Sequence, residues 1–316
     1  MKQREIEKYS IEEGEIEEKV RIIYSSKRFK PIRTIHEMIY RLKEEYKLLV
    51  DENVVSLTIA AFLNNRPVLY EGPPGTGKTE IGYAILTLWS GHSAFILPCS
   101  ENYDEYRVIG DFHPLMAMKY GFNEKSFMPR PLLAALILDA GVLIDEIRRS
   151  SEEFQNLLLD IIDKRRIIVP ELRRVFTAKG DGFQIIFTSN PEDIAQNELS
   201  DAFLRRVIRI KFTYPTPEKE YEIVKLRLSS DMDFLPSEIV SRMIDAVNEL
   251  RKKAMHKPGI ADLVLWSTIS VNLAKARGLR RVTTKEVYEA GLHTLCKRIE
   301  DELLVEEILS KYLGVT

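Results

Sequence analysis

Between positions 72 and 79 the chain reads Gly72-Pro73-Pro74-Gly75-Thr76-Gly77-Lys78-Thr79, which fits the pattern G-x-x-x-x-G-K-[ST]. Glycines at this spacing let a backbone curl until successive N–H groups point inward, an arrangement suited to phosphate oxygens. The positive end of a following helix dipole adds to the attraction. On this reading the run from Gly72 to Gly77 forms the cradle, Lys78 reaches the β- and γ-phosphates, and the Thr79 hydroxyl coordinates magnesium.

A second group is Gly141-Val142-Leu143-Ile144-Asp145-Glu146, a buried-type strand ending in two acids. Asp145 would hold the magnesium ion, usually through water, and Glu146 would orient and deprotonate an attacking water. A third is Phe183 to Pro191, an apolar run that delivers Asn190 to its end, in reach of the lytic water or the γ-phosphate. The last is Asp201-Ala202-Phe203-Leu204-Arg205-Arg206, a short helix presenting paired arginines.

These groups need a scaffold, and the apolar pattern supplies one. Val68-Leu69-Tyr70, Ser93 to Leu97, Val142 to Ile144, Phe183 to Phe187 and Val207 to Phe212 read as strands. Helical stretches alternate with them: Thr34 to about Leu49, Glu52 to Asn64 capped by Asp51, Thr79 to Leu86, Leu132 to Asp139, and one opened by a capping box at Ser150-Ser151-Glu152-Glu153. Alternating β and α implies a parallel sheet, whose ligands sit at the carboxyl ends of its strands, where Asp145, Glu146 and Asn190 fall. His113-Pro114 and Tyr120-Gly121 read as turns, and residues 164 to 182 read as a hairpin rich in arginine.

Tyr214-Pro215-Thr216-Pro217 is a proline-bounded linker. Beyond it the pattern is helical throughout: Glu218 to Leu228, Ser237 to Lys253, Ile260 to Arg277, Thr284 to Lys297 and Asp301 to Leu313. The expected organisation is a charged N-terminal extension over 1–33, short helix or mobile arm, then an α/β core over 34–214 and a small all-helical domain over 215–316.

Composition narrows the function classes. The 316 residues are 45% hydrophobic and 30% charged, and 46 Lys+Arg against 48 Asp+Glu leave a formal charge of -2, which points to neither nucleic acid nor an anionic membrane. Two cysteines, Cys99 and Cys296, without C-x-x-C spacing, favour a reducing cytoplasmic compartment over a disulfide framework or zinc site. No apolar run approaches the ~20 residues of a membrane span, and no secretion signal is visible. Histidines 36, 92, 113, 256 and 293 lack metal-ligand spacing, and Tyr83, Trp89 and Trp266 read as core.

Taken in chain order, the loop, Asp145-Glu146, Asn190, Arg205-Arg206 and the helical tail resemble an AAA+ ATPase. Within that superfamily the chain resembles the MoxR-like proteins of the helix-2-insert clade, over about residues 35 to 300. Val50-Asp51-Glu52, the run Glu71 to Glu80, and Asp145-Glu146-Ile147 match, which adds Glu80 to the nucleotide-binding set. Phe112 to Met128 and 164 to 182 lie where the family carries its inserted hairpins. Leu199 to Arg206 matches the arginine-finger segment, with Arg206 in the finger position and Arg205 the fallback.

The resemblance implies a P-loop core with a parallel five-stranded sheet and a helical lid, binding and hydrolysing ATP with Mg2+ in a ring, a hexamer by analogy. It also implies chaperone-like work on a protein client with a von Willebrand factor A domain. Two departures stand out. Arg148 replaces the asparagine of the usual Asp-Glu-Ile-Asn-Arg, and Gly259-Ile260-Ala261-Asp262-Leu263 offers no second-sensor arginine. Two other classes compete: a nucleic-acid-stimulated motor gripping through Arg165, Arg166, Arg173 and Arg174, and a nucleotide-gated scaffold with little turnover, against which Glu146 and Asn190 both argue.

Overall fold

The structure is a computed structural model that describes residues 14–25, 27–101, 104–191 and 197–314. The first thirteen residues of the charged N-terminal stretch lie outside the described residues. The elements run α1 (Glu15–Tyr24), α2 (Ile35–Tyr46), α3 (Glu52–Leu63), β1 (Val68–Glu71), α4 (Lys78–Ser90), β2 (Phe95–Pro98), α5 (Glu105–Val108), β3 (Gly110–Phe112), α6 (Pro114–Tyr120), β4 (Phe127–Pro129), α7 (Pro131–Leu138), β5 (Val142–Asp145), α8 (Glu152–Lys164), β6 (Arg166–Val169), β7 (Arg174–Thr177), β8 (Ile185–Ser189), α9 (Asp201–Leu204) and β9 (Ile208–Lys211). Five helices complete the chain: α10 (Pro217–Leu228), α11 (Ser237–Lys253), α12 (Ile260–Ala276), α13 (Thr284–Leu295) and α14 (Glu302–Leu313).

The chain divides into two compact units. One holds the described residues up to Arg41 with Val50–Glu71 and Thr79–Lys211, and the other holds Leu42–Leu49, Gly72–Lys78 and the chain from Phe212. The loop thus groups with the helical unit.

The first unit is built on a five-stranded sheet of order β2-β5-β8-β1-β9, with every neighbouring pair parallel. A parallel sheet is covered on both faces, so its inner strands are apolar on both sides. β1 and β8 are buried at every position, whereas the edge strands expose Ile96 and Ile208. Tyr70, the one aromatic of β1, points its hydroxyl at Thr58 Oγ1, 2.7 Å away, so the phenol is buried without a lost hydrogen bond.

Two antiparallel pairs form separate two-stranded sheets whose Phe127, Ile167, Val169 and Phe176 join the core of this unit. In β3–β4, Gly110 faces Pro129 and Phe112 faces Phe127; in β6–β7, Arg166 faces Thr177 and Val169 faces Arg174. The expected turns at 113–114 and 120–121 are the two ends of α6: Pro114 opens it, and Gly121, at φ 78°, follows it. The expected capping box does not form; with Phe154 in the third helical position, a single N-cap one residue later takes its place. Ser151 Oγ caps α8 by accepting from Phe154 N at 3.2 Å, and Ser150 Oγ donates instead to Ile147 O.

The described part of the charged N-terminal stretch is a helix that buries Ile16 and Val20 completely in the core of the first unit. Lys19 Nζ donates to the carbonyls of Glu124 (2.8 Å) and Lys125 (2.6 Å), and Tyr24 donates to Pro129 O. Arg174, half of the pair read as a grip, is buried and bound to Glu17 at 2.7 Å and Glu124 at 2.5 Å. One guanidinium therefore joins the N-terminal helix, the β3–β4 insertion and the β6–β7 hairpin.

The second unit packs α10 to α14 around Val224, Val240, Met243, Val247, Leu263, Trp266, Val287 and Leu309. Trp266 is fully buried, and its indole N–H donates to Val287 O at 2.8 Å.

Candidate nucleotide site

The loop leaves the end of β1 and runs into the first turn of α4. Gly75 (φ 69°) and Gly77 (φ 86°) occupy the left-handed region, open at little cost only to glycine, which is what turns this backbone into a curl. Lys78 is nearly buried, and its ammonium donates to Gly72 O at 2.8 Å and Pro73 O at 2.6 Å, while Thr76 Oγ1 donates to Pro73 O. The lysine lies along the inside of its own loop. Pro73 and Gly77 are half-buried, and Pro74 and Glu80 are exposed.

In the first unit, Asp145 closes β5 and its Oδ1 accepts from two hydroxyls: Thr79 at 2.8 Å and Thr188 at 2.5 Å. Thr188 also accepts from the Glu146 backbone N–H at 2.9 Å, so one hydroxyl on β8 orders both acids. Sequence reading missed Thr188. Its one local mark was the hydroxyl pair Thr188-Ser189 closing the apolar run Ile185-Ile186-Phe187.

Glu146 turns through φ 54°, and its carboxylate meets Arg149 at 2.5 Å, with both side chains substantially exposed. Arg148, the departure from the usual asparagine, donates from Nε to Ser189 Oγ at 2.8 Å and lies 3.6 Å from Glu71. Glu71 is 3% exposed and receives Arg209 Nε at 2.6 Å. A buried carboxylate needs cationic partners to stay charged; Glu71, directly before the loop, has two guanidiniums, and Arg148 is one of them.

Asn190 follows β8, half-buried, at the carboxyl end of the strand lying between β1 and β5. Beneath the acids, Cys99 donates its backbone N–H to Asp145 O. Burial, reinforced by the nearby Asp145 and Glu146 carboxylates, pushes its thiol up to about 12, so it stays neutral and non-nucleophilic. Arg206 is held outside this cluster by Asp163, with Nε 2.9 Å and 2.8 Å from the two carboxylate oxygens, and by Ala202 O at 2.7 Å. Arg205 is exposed and has no side-chain partner among the described residues.

Residues 67–207 match the family described as AAA domain (dynein-related subfamily), a span that opens one residue before β1 and closes one before β9. Curated relatives stand at low identity. Protein CbbQ of Hydrogenophilus thermoluteolus is 25% identical over 60% of this chain and 68% of its own, and the gas vesicle ATPase GvpN of Ancylobacter aquaticus is 26% identical over 60% and 56%. This chain carries an AAA domain, that of an ATPase, and is similar to the MoxR-like AAA+ proteins. Protein YehL of Escherichia coli, 24% identical, matches a longer stretch, 74% of this AAA+ chain and 68% of its own length, so the likeness extends past the AAA domain. A solved structure from Cytophaga hutchinsonii superposes over 100% of this ATPase and 97% of its own chain at a TM-score of 0.46 and 14% identity, too loose a likeness to argue from.

Proposed function

We propose that this ATPase binds ATP with Mg2+, hydrolyses it at the acids that end β5, and uses the cycle in a ring, a hexamer by family analogy, to remodel a protein partner. The observation that carries the hydrolytic part is the convergence of Thr79 and Thr188 on Asp145 with Glu146 beside it. Lys78 would leave its loop carbonyls for the β- and γ-phosphate oxygens. Thr79 and Asp145 fit Mg2+ because a hydroxyl and a carboxylate are already 2.8 Å apart; the described residues hold no larger acidic or histidine cluster, as suits an ion that takes its remaining ligands from nucleotide and water. Bound there, the ion would neutralise charge developing on the phosphates.

Glu146 accepts the proton of a water that attacks the γ-phosphorus as the bridging P–O bond breaks, and ADP and phosphate leave. Asn190 orients that water. The Arg149 pair must first open to free Glu146, and for two exposed side chains that costs about 1 kcal/mol or less. Slow basal turnover, quickened by whatever draws Arg149 away, is the expected behaviour.

For the finger, Arg206 is the residue in the matching position, and its exposed pairing with Asp163 is weak enough to be exchanged for a neighbour's γ-phosphate. Arg205 competes for the role. Rings mixed from Lys78→Ala and Arg206→Ala subunits should regain turnover that neither has alone; recovery only in mixtures made with Arg205→Ala assigns the finger to Arg205.

The client reading rests on the two antiparallel pairs: the β3–β4 insertion with α6 exposes Leu115, Met118 and Phe122, and β6–β7 exposes Ile168. A protein with a von Willebrand factor A domain is the proposed partner, and the cytoplasm the proposed compartment. Against the nucleic-acid motor, three of its four arginines are engaged: Arg165 with Gly180 O, Arg166 with Asp160 and Arg174 with Glu17 and Glu124. ATP-loaded Glu146→Gln should accumulate the partner on beads, and Arg173→Glu, an exposed change, should weaken capture without altering nucleotide affinity. Recovery of salt-sensitive DNA or RNA that stimulates hydrolysis would overturn the protein-client reading.

A further inference from the structure

The start of α12, where no arginine is found, meets the loop backbone to backbone, and both sides of that meeting belong to the second unit. Ile260 N–H donates to Gly75 O at 2.8 Å. The first N–H groups of a helix have no partner inside it; here one of them is given to the loop. Gly259 sits at φ -89°, ψ -176°, extended backbone that any residue adopts, so its conformation does not demand glycine. Its neighbour does. A Cβ at 259 would fall on the Gly75 Cα and 2.6 Å from Gly75 O, and a Cβ at 75 would lie 2.7 Å from the Gly259 Cα. All of these are backbone atoms, which cannot swing aside.

The other side of the contact is anchored. Arg251 is nearly buried, donates from Nε to Pro258 O at 2.8 Å and pairs with the fully buried Glu220 at 2.6 Å. Asp262 Oδ2 accepts from Gly259 N–H at 2.8 Å and ties the turn to the helix it opens. The segment that presses on Gly75 is therefore held by α10, α11 and α12 together.

We propose that Gly259 and the Ile260 N–H form a backbone clamp that holds Gly75 in its phosphate-ready turn, making Gly259 a positioning residue for nucleotide. The inference rests on the loop binding nucleotide, which titration of the wild type with a fluorescent ATP analogue reads by itself, with Lys78→Ala as the non-binding reference. Gly259→Ala adds one methyl with no conformational penalty and forces the two backbones apart. The expected result is at least about tenfold weaker analogue binding, with kcat at saturation changed less than about threefold.

Gly278→Ala is the control, since at φ 70° it strains the end of the same helix in open space, away from Gly75, and it should bind the analogue as wild type does. Reciprocity supplies a test that needs no variant: nucleotide should slow hydrogen exchange at Ile260 in the wild type. Wild-type affinity in Gly259→Ala, an equal loss in Gly278→Ala, or unchanged exchange at Ile260 would each overturn the clamp.

Discussion

Replacing Arg174 with methionine keeps most of the side chain's length and removes its charge. The guanidinium serves two carboxylates, and the side chains of Arg174, Glu17 and Glu124 are 10%, 11% and 25% exposed. Removing one partner of a buried pair costs about 3–5 kcal/mol, mostly because the survivor stays buried and uncompensated. Glu124 keeps some water, which places this case near the lower end, about 3 kcal/mol. At roughly 2–4 °C per kcal/mol for a unit of this size, the first unit should melt about 6–12 °C lower.

Scanning fluorimetry reads that shift, and hydrogen exchange locates it. Protection should fall over α1 and β3–β4 and stay unchanged over α11 to α14. Glu17→Gln in the Arg174→Met background should restore part of the loss, because it removes the stranded charge. An unshifted melting temperature, or loosening spread evenly over both units, would refute the joint. Lost partner capture at unchanged stability would return Arg174 to the gripping role its sequence position suggested.

Glu146→Gln should retain ATP binding and lose turnover, because an amide cannot accept the water's proton, whereas Lys78→Ala should lose binding itself; undiminished hydrolysis in Glu146→Gln would remove that residue from the mechanism. In the helical unit, hydrogen bonds from Lys253, Lys311 and Tyr312 hold the half-buried Glu249 carboxylate at about 2, below its ordinary 4.5. A lowered carboxylate contributes stability above its ordinary value and loses it as pH falls toward 2, so the melting temperature of Glu249→Gln should depend less steeply on pH across that window. Equal slopes at low salt would show that the cluster contributes nothing.

The parts legible in the sequence were those whose cause is local. Gly75 and Gly77 need positive φ within their own loop, Ile144-Asp145 marks a buried strand reaching an edge, and the helix starts at Asp51 and Ser151 are fixed within a few residues. The α6 helix was hidden because its two ends, Pro114 and Gly121, are also turn residues, and the helix is only seven residues long. Pairing across distance was not legible. Arg174 reads as half of an exposed arginine pair, yet its partners are 157 and 50 positions away. Nothing near Thr188 announces that its hydroxyl serves Asp145, 43 positions earlier.

Arg148 and Gly259 carry that argument a step further, since both entered as departures from a family pattern. Arg148 looks like a lost asparagine until Glu71 is found buried beside it; a carboxylate with almost no water at the foot of the loop makes a guanidinium at 148 the complementary choice. The stretch 259–263 looks like the place of a lost arginine until Gly75 is found against Gly259, where any side chain would collide with backbone. In each case the residue present answers a neighbour distant in sequence and adjacent in space. Substituting the family residue would therefore not restore a missing function: Arg148→Asn should strip Glu71 of one cation, and Gly259→Arg should displace the loop it was meant to assist.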